Sequence, residues 1–471
     1  MSPGAASPQV RSDPRGRPPL GADLRRVLAL AGPVVLVQFG LMAMNLVATL
    51  MVGHVSATDL AATALGSLYS LVLLLLAWGA LMALDPIVAQ AVGAGDGEAV
   101  ALGLQRGLVL ALGLAIVITL GSLPARAVLV ALGQPAAVVP LAARYVWATI
   151  PGLLPFLVFI VLRQTLVAMG HTRAVLVNLL AANLVHAALA WALIFGHLGC
   201  PRSGAVGAAL ALTLTRALMP LGLLASAWVV LRPVVRPWRP RALEPAALAR
   251  MLRLGLPIGF QMQLEYGIFA AVGLLMDRLG TAPMAAHQIA LMIASTTFMV
   301  PQGVGGAAAV LVGQDVGAGE PARARRSAVL ALALGGGFMA LTGTALVLAA
   351  VPLARLFTFD PAVLGLAVRL LPIAGVFQVF DGLQVVAIGV LRGVGDTRSP
   401  VLVNVLGFWL IGMPLCLWFD FGLRGGAEGL WWGLVAGLAV VAVVLLARVR
   451  VRLAAPLARL ALDEASTVTN A

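Results

Sequence analysis

The hexapeptide QAVGAG at residues 90–95 recurs as QDVGAG at residues 314–319. Further along, GHTR at residues 170–173 has a counterpart in GDTR at 395–398, at nearly the same displacement. One short match arises by chance in a chain rich in glycine and alanine, whereas several in the same order indicate an internal duplication. The sequence therefore predicts two tandem copies of one structural unit.

Each copy contains six long apolar runs. Hydrophobic residues make up 61% of the chain and charged residues only 10%, against about 45–50% and about 25% in soluble proteins. Each run is at least as long as the roughly 20 residues that a helix needs to cross a bilayer. We therefore predict an all-α membrane protein with 12 transmembrane helices in two pseudo-symmetric six-helix bundles. The predicted spans are residues 27–52, 60–88, 101–122, 141–168, 174–196, 204–231, 252–277, 284–312, 326–352, 364–391, 400–420 and 427–447.

Arginine accounts for all 31 basic residues, and most arginines fall in loops on one side of the predicted bundles. Because basic loops stay in the cytoplasm, both termini are predicted to be cytoplasmic and the chain to lie in the inner (plasma) membrane. These loops, rather than a nucleic-acid partner, explain the formal net charge of +13. Both copies enter the membrane the same way, as in transporters whose bundles rock around a central site. The predicted segments are a disordered tail 1–24, an N-terminal bundle 25–231, a cytoplasmic linker 232–251, a C-terminal bundle 252–450 and a cytoplasmic tail 451–471.

Two acidic residues lie near the middle of predicted spans, Glu265 in span 252–277 and Asp381 in span 364–391. An ionisable group at this depth is expensive and by default indicates function. A carboxyl group in an apolar environment binds a proton more readily than one in water, and carboxylate and amide oxygens also suit a small hard cation. We therefore predict that the two acids bind a coupling cation, either H⁺ or Na⁺. The amide and aromatic residues predicted to share their cavity are Gln261, Tyr266, Gln288, Phe377, Gln378 and Gln384.

Other polar residues within the spans are weaker candidates. Asp85 is placed to pair with Arg216, the one arginine expected near the centre of the bundles, either as a structural salt bridge or as part of transport. His186 is a further candidate in the N-terminal half. Asn45, Asn178 and Asn404 either line the cavity or hydrogen-bond to neighbouring helices, and the second interpretation is favoured.

Four stretches of the chain resemble the NorM-like branch of the MATE (multidrug and toxic compound extrusion) family. They are MVGHVSATDLAA at 51–62, VAQAVGAG at 88–95, AAHQIA at 285–290 and the segment 381–393. The resemblance implies a V-shaped pair of six-helix bundles. It also implies a secondary antiporter that exports organic, often cationic, compounds in exchange for H⁺ or Na⁺ by alternating access. By position, Glu265 and Asp381 match the coupling acids of the family's C-terminal bundle.

The chain departs from the family pattern at several positions. An acid common in the first span is replaced by Ala48, and the polar pair usual in the fifth span by His186 and Ala190. The aromatic hydroxyl expected four residues before Asp381 is missing, because that position is Phe377. These changes predict an incomplete cation site in the N-terminal bundle, unless Asp85 replaces it. The loss of this hydroxyl removes a potential Na⁺ ligand and favours H⁺ over Na⁺ as the coupling ion.

Other functional classes fit the sequence less well. A flippase for lipid-linked precursors, the alternative within the wider superfamily, usually carries several cavity arginines to meet pyrophosphate. An enzyme would need clustered carboxylates or histidine ligands, and the five histidines are dispersed. Without lysine, the chain lacks the Walker A residue that reaches nucleotide phosphates. We expect no catalytic residue, cofactor or resident metal, a small-molecule substrate, and a monomer in the lipid bilayer.

Overall fold

Twelve helices long and apolar enough to cross a bilayer make up most of the computed structural model, which describes residues 20–460. A helix satisfies its internal N–H and C=O groups within its own chain, so apolar runs of this length fold as helices in a membrane. Residues 1–19 and 461–471, the outer parts of the two predicted tails, lie outside the described residues. The helices are α1 (Leu20–Gly53), α2 (Ala57–Gly93), α3 (Gly97–Ser122), α4 (Val139–Ala168), α5 (Thr172–Phe195), α6 (Gly204–Val235), α7 (Pro245–Arg278), α8 (Thr281–Gly317), α9 (Pro321–Leu348), α10 (Pro361–Gly393), α11 (Arg398–Gly422) and α12 (Gly426–Ala454).

Four of these helices are irregular, and in α6 the irregularity is a kink at Ala227. α2 consists of two helical segments, Ala57–Leu81 and Leu84–Gly93. α4 contains a 3₁₀ turn at Ile150–Gly152, which includes Pro151, and α11 contains π-helical segments at Val405–Gly412 and Trp418–Gly422. Short helices at Ala125–Ala131 and Ala350–Arg355 and a 3₁₀ turn at Pro240–Leu243 lie in the connections.

The helices extend past the predicted boundaries at their polar ends. α1 begins at Leu20, inside the predicted tail, and Asp23 is buried. α6 continues to Val235 and α7 begins at Pro245, so the predicted linker 232–251 is reduced to a short connection. α12 likewise continues to Ala454. Hydropathy misses these turns because charged residues can continue a helix after it has left the apolar layer.

The repeated hexapeptide closes α2 and α8 in the same way. Its last glycine, Gly95 or Gly319, adopts a φ of 69° or 71° and reverses the chain after the helix, a conformation that favours glycine. Its first glycine packs against the other half of the molecule. A side chain at Gly93 would overlap the Gln314 carbonyl, and one at Gly317 would overlap the Gln90 carbonyl. The duplicated motif therefore makes one pseudo-symmetric contact between the bundles.

The N-terminal bundle (α1–α6) meets the C-terminal bundle (α7–α12) along two equivalent helix pairs, α1 with α8 and α2 with α7, and along a third contact between the last part of α2 and α8. Small residues allow the backbones to approach closely: Gly79 lies against Gly259, and Gly303 against Val35. α2 and α8 end on the same side of the molecule, where Arg26, Arg323 and Arg326 lie. We call this side the arginine-rich end. The contact between the bundles continues to this end, and a cavity separates them beyond it.

Candidate functional site

The cavity has a volume of about 950 Å³ and lies between the bundles, with walls from α1, α2, α4, α5, α7, α8 and α10. This is within the range of small-molecule sites. Six residues predicted as coupling or cavity residues line it, as does Asp85. The six are Glu265, Asp381, Gln261, Tyr266, Gln288 and Phe377.

Glu265 is held by two amide side chains. The Gln384 Nε2 of α10 donates to the Glu265 Oε1 at 2.9 Å, and the Gln261 Nε2 donates to the Oε2 at 3.2 Å from one turn earlier in α7. Glu265 therefore links α7 to α10, the helix that carries Asp381. The Asp381 side chain is 7% exposed, and no hydrogen bond to it is found within residues 20–460. Its carboxyl group is left to interact with what enters the cavity.

Aromatic rings form part of this wall and pack against Trp431 behind it. Phe377 packs edge-on against Phe269 and Trp431, with ring centroids 5.9 and 5.8 Å apart. His287 packs against the same Trp431 at 5.7 Å and lines the cavity. The family resemblance predicts an aromatic hydroxyl at position 377, and the Phe377 side chain has none. His287 was missed at the sequence level, although a histidine within an apolar span was the available signal.

Gln378 lies outside the cavity lining and connects helices of the C-terminal bundle. Its Nε2 donates to the Thr297 Oγ1 of α8 at 2.7 Å, and its Oε1 accepts from the Thr342 Oγ1 of α9 at 3.0 Å. Asn404 of α11 is fully buried, and its amide has no hydrogen-bond partner in the described part of the chain. The structure thus places these two predicted cavity residues within the bundle.

The N-terminal candidates other than Asp85 also lie away from the cavity lining. Asn178 of α5 lies against Gly222 of α6, and His186 is buried with its Nδ1 3.2 Å from the Thr215 Oγ1. Asn45 is exposed on α1. Arg216 stacks over the Phe156 ring, with its Cζ 4.7 Å from the centroid. These contacts lie within the N-terminal bundle.

The expected pairing of Asp85 with Arg216 is wrong. Asp85 instead meets Arg392 of α10 across the bundle interface, with 3.5 Å between Oδ2 and Nη1. Arg392 and Arg163 both line the cavity, so Arg216 is not the central arginine. Sequence reasoning missed both because each lies near the end of an apolar run, where an arginine normally reaches the membrane surface.

Beyond this pair, polar contacts close the arginine-rich end. The Arg26 Nη1 lies 2.7 Å from the Asp315 Oδ1, and the Arg26 Nη2 donates to the Gln314 Oε1 at 3.0 Å. Asp23 pairs with Arg326 at 3.2 Å. Each contact joins α1 to the C-terminal bundle, so the cavity is sealed from this end.

The segment after α12 crosses the same seal. The Arg459 Nη2 lies 2.8 Å from the Asp96 Oδ2, and the Leu460 N–H donates to the Gln90 Oε1 at 2.7 Å. The Leu460 side chain packs against Gly395. Partial burial opposes ionisation of Asp96, yet hydrogen bonds from the Ala99 N–H and from Arg459 lower its pKa below the ordinary value. Arg459, which follows α12, thus binds the loop between α2 and α3 in the N-terminal bundle.

The MatE family model matches residues 33–192 and again residues 257–418. The chain belongs to the MatE family. The two matches fall on the two bundles, and the second includes Glu265 and Asp381. This chain therefore matches the family model twice, as the repeated hexapeptide predicts.

Proteins named "Probable multidrug resistance protein NorM" are similar to this MatE chain over most of its length. The one from Burkholderia pseudomallei is 38% identical and covers 91% of this chain and 92% of its own. The one from Deinococcus radiodurans is also 38% identical, covering 91% of this chain and 95% of its own. These likenesses confirm the sequence-level resemblance.

Solved MATE structures share the fold. The eukaryotic MATE transporter AtDTX14 matches with a TM-score of 0.83 at 24% identity, over 92% of this chain and 96% of its own. A multidrug resistance MATE family transporter in an outward-facing conformation matches with a TM-score of 0.82 at 21% identity, over the same shares. The prediction of 12 helices in two six-helix bundles is confirmed.

Proposed function

We propose that this MatE chain is a secondary antiporter that exports organic, often cationic, compounds in exchange for H⁺ or Na⁺. The observation that carries the proposal is the placing of Glu265 and Asp381 on one wall of a cavity between two bundles. A cavity sealed at one end and lined by carboxyl groups suits alternating access, in which substrate and coupling ion use the same site in turn. The names of the NorM relatives support multidrug substrates.

The carboxyl groups of the wall couple substrate export to cation import, because each bound species changes the charge that the other one encounters. A cationic substrate is attracted to ionised carboxylates, whereas a proton or Na⁺ bound there neutralises them and favours release. The two amides orient Glu265 through both of its oxygens, while Asp381 faces the cavity. We infer that the coupling ion is H⁺, since the Glu265 oxygens already accept N–H donors and Phe377 offers no oxygen ligand.

We infer that the arginine-rich end faces the cytoplasm, as basic loops do. The contacts of Arg26, Asp315 and Arg326 then close the cytoplasmic side, and the arrangement corresponds to an outward-open state. In this orientation both termini are cytoplasmic. We propose that the chain works as a monomer in the inner membrane, because the cavity lies between bundles of a single chain.

The proposal is tested by reconstitution in liposomes with a fluorescent organic cation and an imposed pH or Na⁺ gradient. We expect Glu265→Gln and Asp381→Asn each to abolish gradient-driven transport while the purified protein keeps its helical content. Asp420→Asn is the matched control, because it removes an acid of the same bundle outside the cavity lining. Normal transport by both cavity variants would refute the proposal, and transport driven by Na⁺ alone would refute the proton assignment.

The flippase alternative is not favoured. Two arginines line the cavity, but Arg392 is paired with Asp85, and Arg163 faces the wall that carries Glu265 and Asp381. A pyrophosphate would meet two carboxyl groups there. The relatives over most of the chain are named for multidrug resistance.

A further inference from the structure

Besides Gln38, Asp85 and Thr172, three polar side chains of the N-terminal bundle line the cavity, and the coupling mechanism gives them no role. Trp78 comes from α2, and Arg163 and Gln164 come from α4. All three line the cavity, whose other wall, from α7 and α10, carries Glu265 and Asp381. The cavity thus has an acidic side and a side rich in hydrogen-bond donors.

Two of these side chains have polar atoms without a hydrogen-bond partner within the described protein. Gln164 is 4% exposed, and neither its amide nitrogen nor its oxygen has a hydrogen-bond partner among residues 20–460. The buried Trp78 Nε1 is likewise unpaired over that range. Leaving such groups unsatisfied is unfavourable, and few are left so in native proteins. Both residues belong to the cavity wall, so a molecule bound there is the outside partner that can complete these groups.

Arg163 supplies positive charge to the same wall. Its Cζ lies 6.0 Å from the centroid of the Trp78 ring, a cation–π arrangement. The Asp85 carboxylate attracts Arg163 but forms no ion pair with it in the described part of the chain. The nearby acid on this wall, Asp85, is paired with Arg392 at 3.5 Å. Phe156 packs edge-on against Trp78 at 5.8 Å and fixes the indole.

The donor set specifies the ligand. An indole N–H, a guanidinium and an amide NH₂ are all donors, and the one acceptor is the Gln164 oxygen. An excess of donors with a formal positive charge matches an anionic acceptor, and guanidinium–carboxylate hydrogen bonds are among the strongest. A neutral or cationic group would leave most of these donors unpaired.

We propose that Trp78, Arg163 and Gln164 form a subsite for a carboxylate group of the substrate. The inference rests on the proposed export function and deepens it by naming a substrate class. A molecule with a cationic group at one end and a carboxylate at the other meets complementary charge on both walls. The transporter therefore prefers such zwitterions to matched compounds that carry the cation alone.

The test uses one dye in two forms, rhodamine 123, which is a cationic methyl ester, and rhodamine 110, its free acid. Binding to the purified full-length protein is followed by fluorescence polarisation, and transport is followed in liposomes. The wild type is expected to bind the free acid more tightly than the ester. Arg163→Gln should weaken binding of the free acid about tenfold or more, as expected for loss of a hydrogen bond to a charged group, and change ester binding less than twofold.

Two further variants keep the result interpretable. Trp78→Phe retains the ring but removes one donor, and should weaken binding of the acid only. Arg144→Gln, on the exposed face of the same helix α4, should affect neither dye. Equal loss for both dyes in Arg163→Gln and Trp78→Phe, or no preference of the wild type for the acid, would overturn the subsite.

The two proposals fail separately. If the wild type transports the ester and Glu265→Gln does not, the export proposal is supported, whatever the result for the free acid. If neither dye is transported, export fails while selective binding of the acid still supports the subsite. If wild-type binding of the acid depends on chloride concentration but not on Arg163 or Trp78, the wall binds no substrate carboxylate and the inference is wrong.

Discussion

The first glycine of each repeated hexapeptide is expected to control how far the bundles close. A methyl group at Gly93 would overlap the Gln314 carbonyl oxygen, and one at Gly317 would overlap the Gln90 carbonyl oxygen. Neither carbonyl is the flexible end of a side chain, so the helices must separate before an alanine fits. Gly93→Ala and Gly317→Ala are therefore expected to disfavour the state that is closed at the arginine-rich end.

The size of the effect follows from where the clash occurs. Overpacking a tight contact costs about 1–3 kcal/mol, and here the cost applies only when the bundles touch. The better helix propensity of alanine, worth roughly 0.5–1 kcal/mol, is gained in both states and cancels. The ratio of closed to open molecules should thus fall about 5–150-fold. Because separation at one glycine relieves the other, the double variant should fall short of additivity.

The change is measured as a distance between the bundles. Spin labels at Gly97→Cys and Ala322→Cys, both exposed at the arginine-rich end, report it in a background in which Cys200 and Cys416 are replaced. Double electron–electron resonance on Gly93→Ala should show a larger population at longer distance. The control is Gly113→Ala in α3, where an added methyl meets open space. An unchanged distance distribution in both hexapeptide variants would refute the reasoning.

Two further predictions concern ion pairs between the N-terminal and C-terminal halves of the chain. Arg392→Met should lower the free energy of unfolding in detergent by about 3 kcal/mol, because it leaves Asp85 buried without its partner. The double variant with Asp85→Leu should recover most of that loss in thermal denaturation, and additive losses would argue against the pair. Arg459→Ala should lower stability at pH 7 by no more than about 1 kcal/mol, as for other exposed pairs. Since the pKa of Asp96 is lowered in the folded protein, the difference from wild type should be present at neutral pH and vanish as the pH falls through that lowered pKa.

The number of helices and the duplication could be predicted because the features that determine them are contiguous in the sequence. Apolar runs and the repeated hexapeptide are visible along the sequence, and they led to the correct number of helices and the duplication. The ends of helices were less predictable. Ser56 and Asp96 cap α2 and α3 through hydrogen bonds to the N–H groups of Asp59 and Ala99, so helical structure begins outside the apolar run.

The site was predictable only in part, because which way a helix faces depends on its neighbours. Asp381 and Gln378 are three residues apart on α10, yet Asp381 lines the cavity and Gln378 bonds to Thr297 of another helix. Polarity marks both as unusual but cannot tell them apart. The partner of Asp85 was harder still, since Arg392 belongs to the other copy of the repeat and is brought near only by assembly of the bundles.

The duplication has been retained in one part of the molecule and lost in another. The surfaces that close the arginine-rich end are equivalent, with Gly93 against Gln314 matching Gly317 against Gln90. Equivalent surfaces suit a rocking motion, because both bundles must part and meet along the same line. The cavity walls have diverged instead, with Glu265 and Asp381 on the C-terminal bundle and the unpaired groups of Trp78 and Gln164 on the N-terminal bundle. Unlike walls let a single cavity distinguish the two ends of one substrate, which two identical walls facing each other could not do.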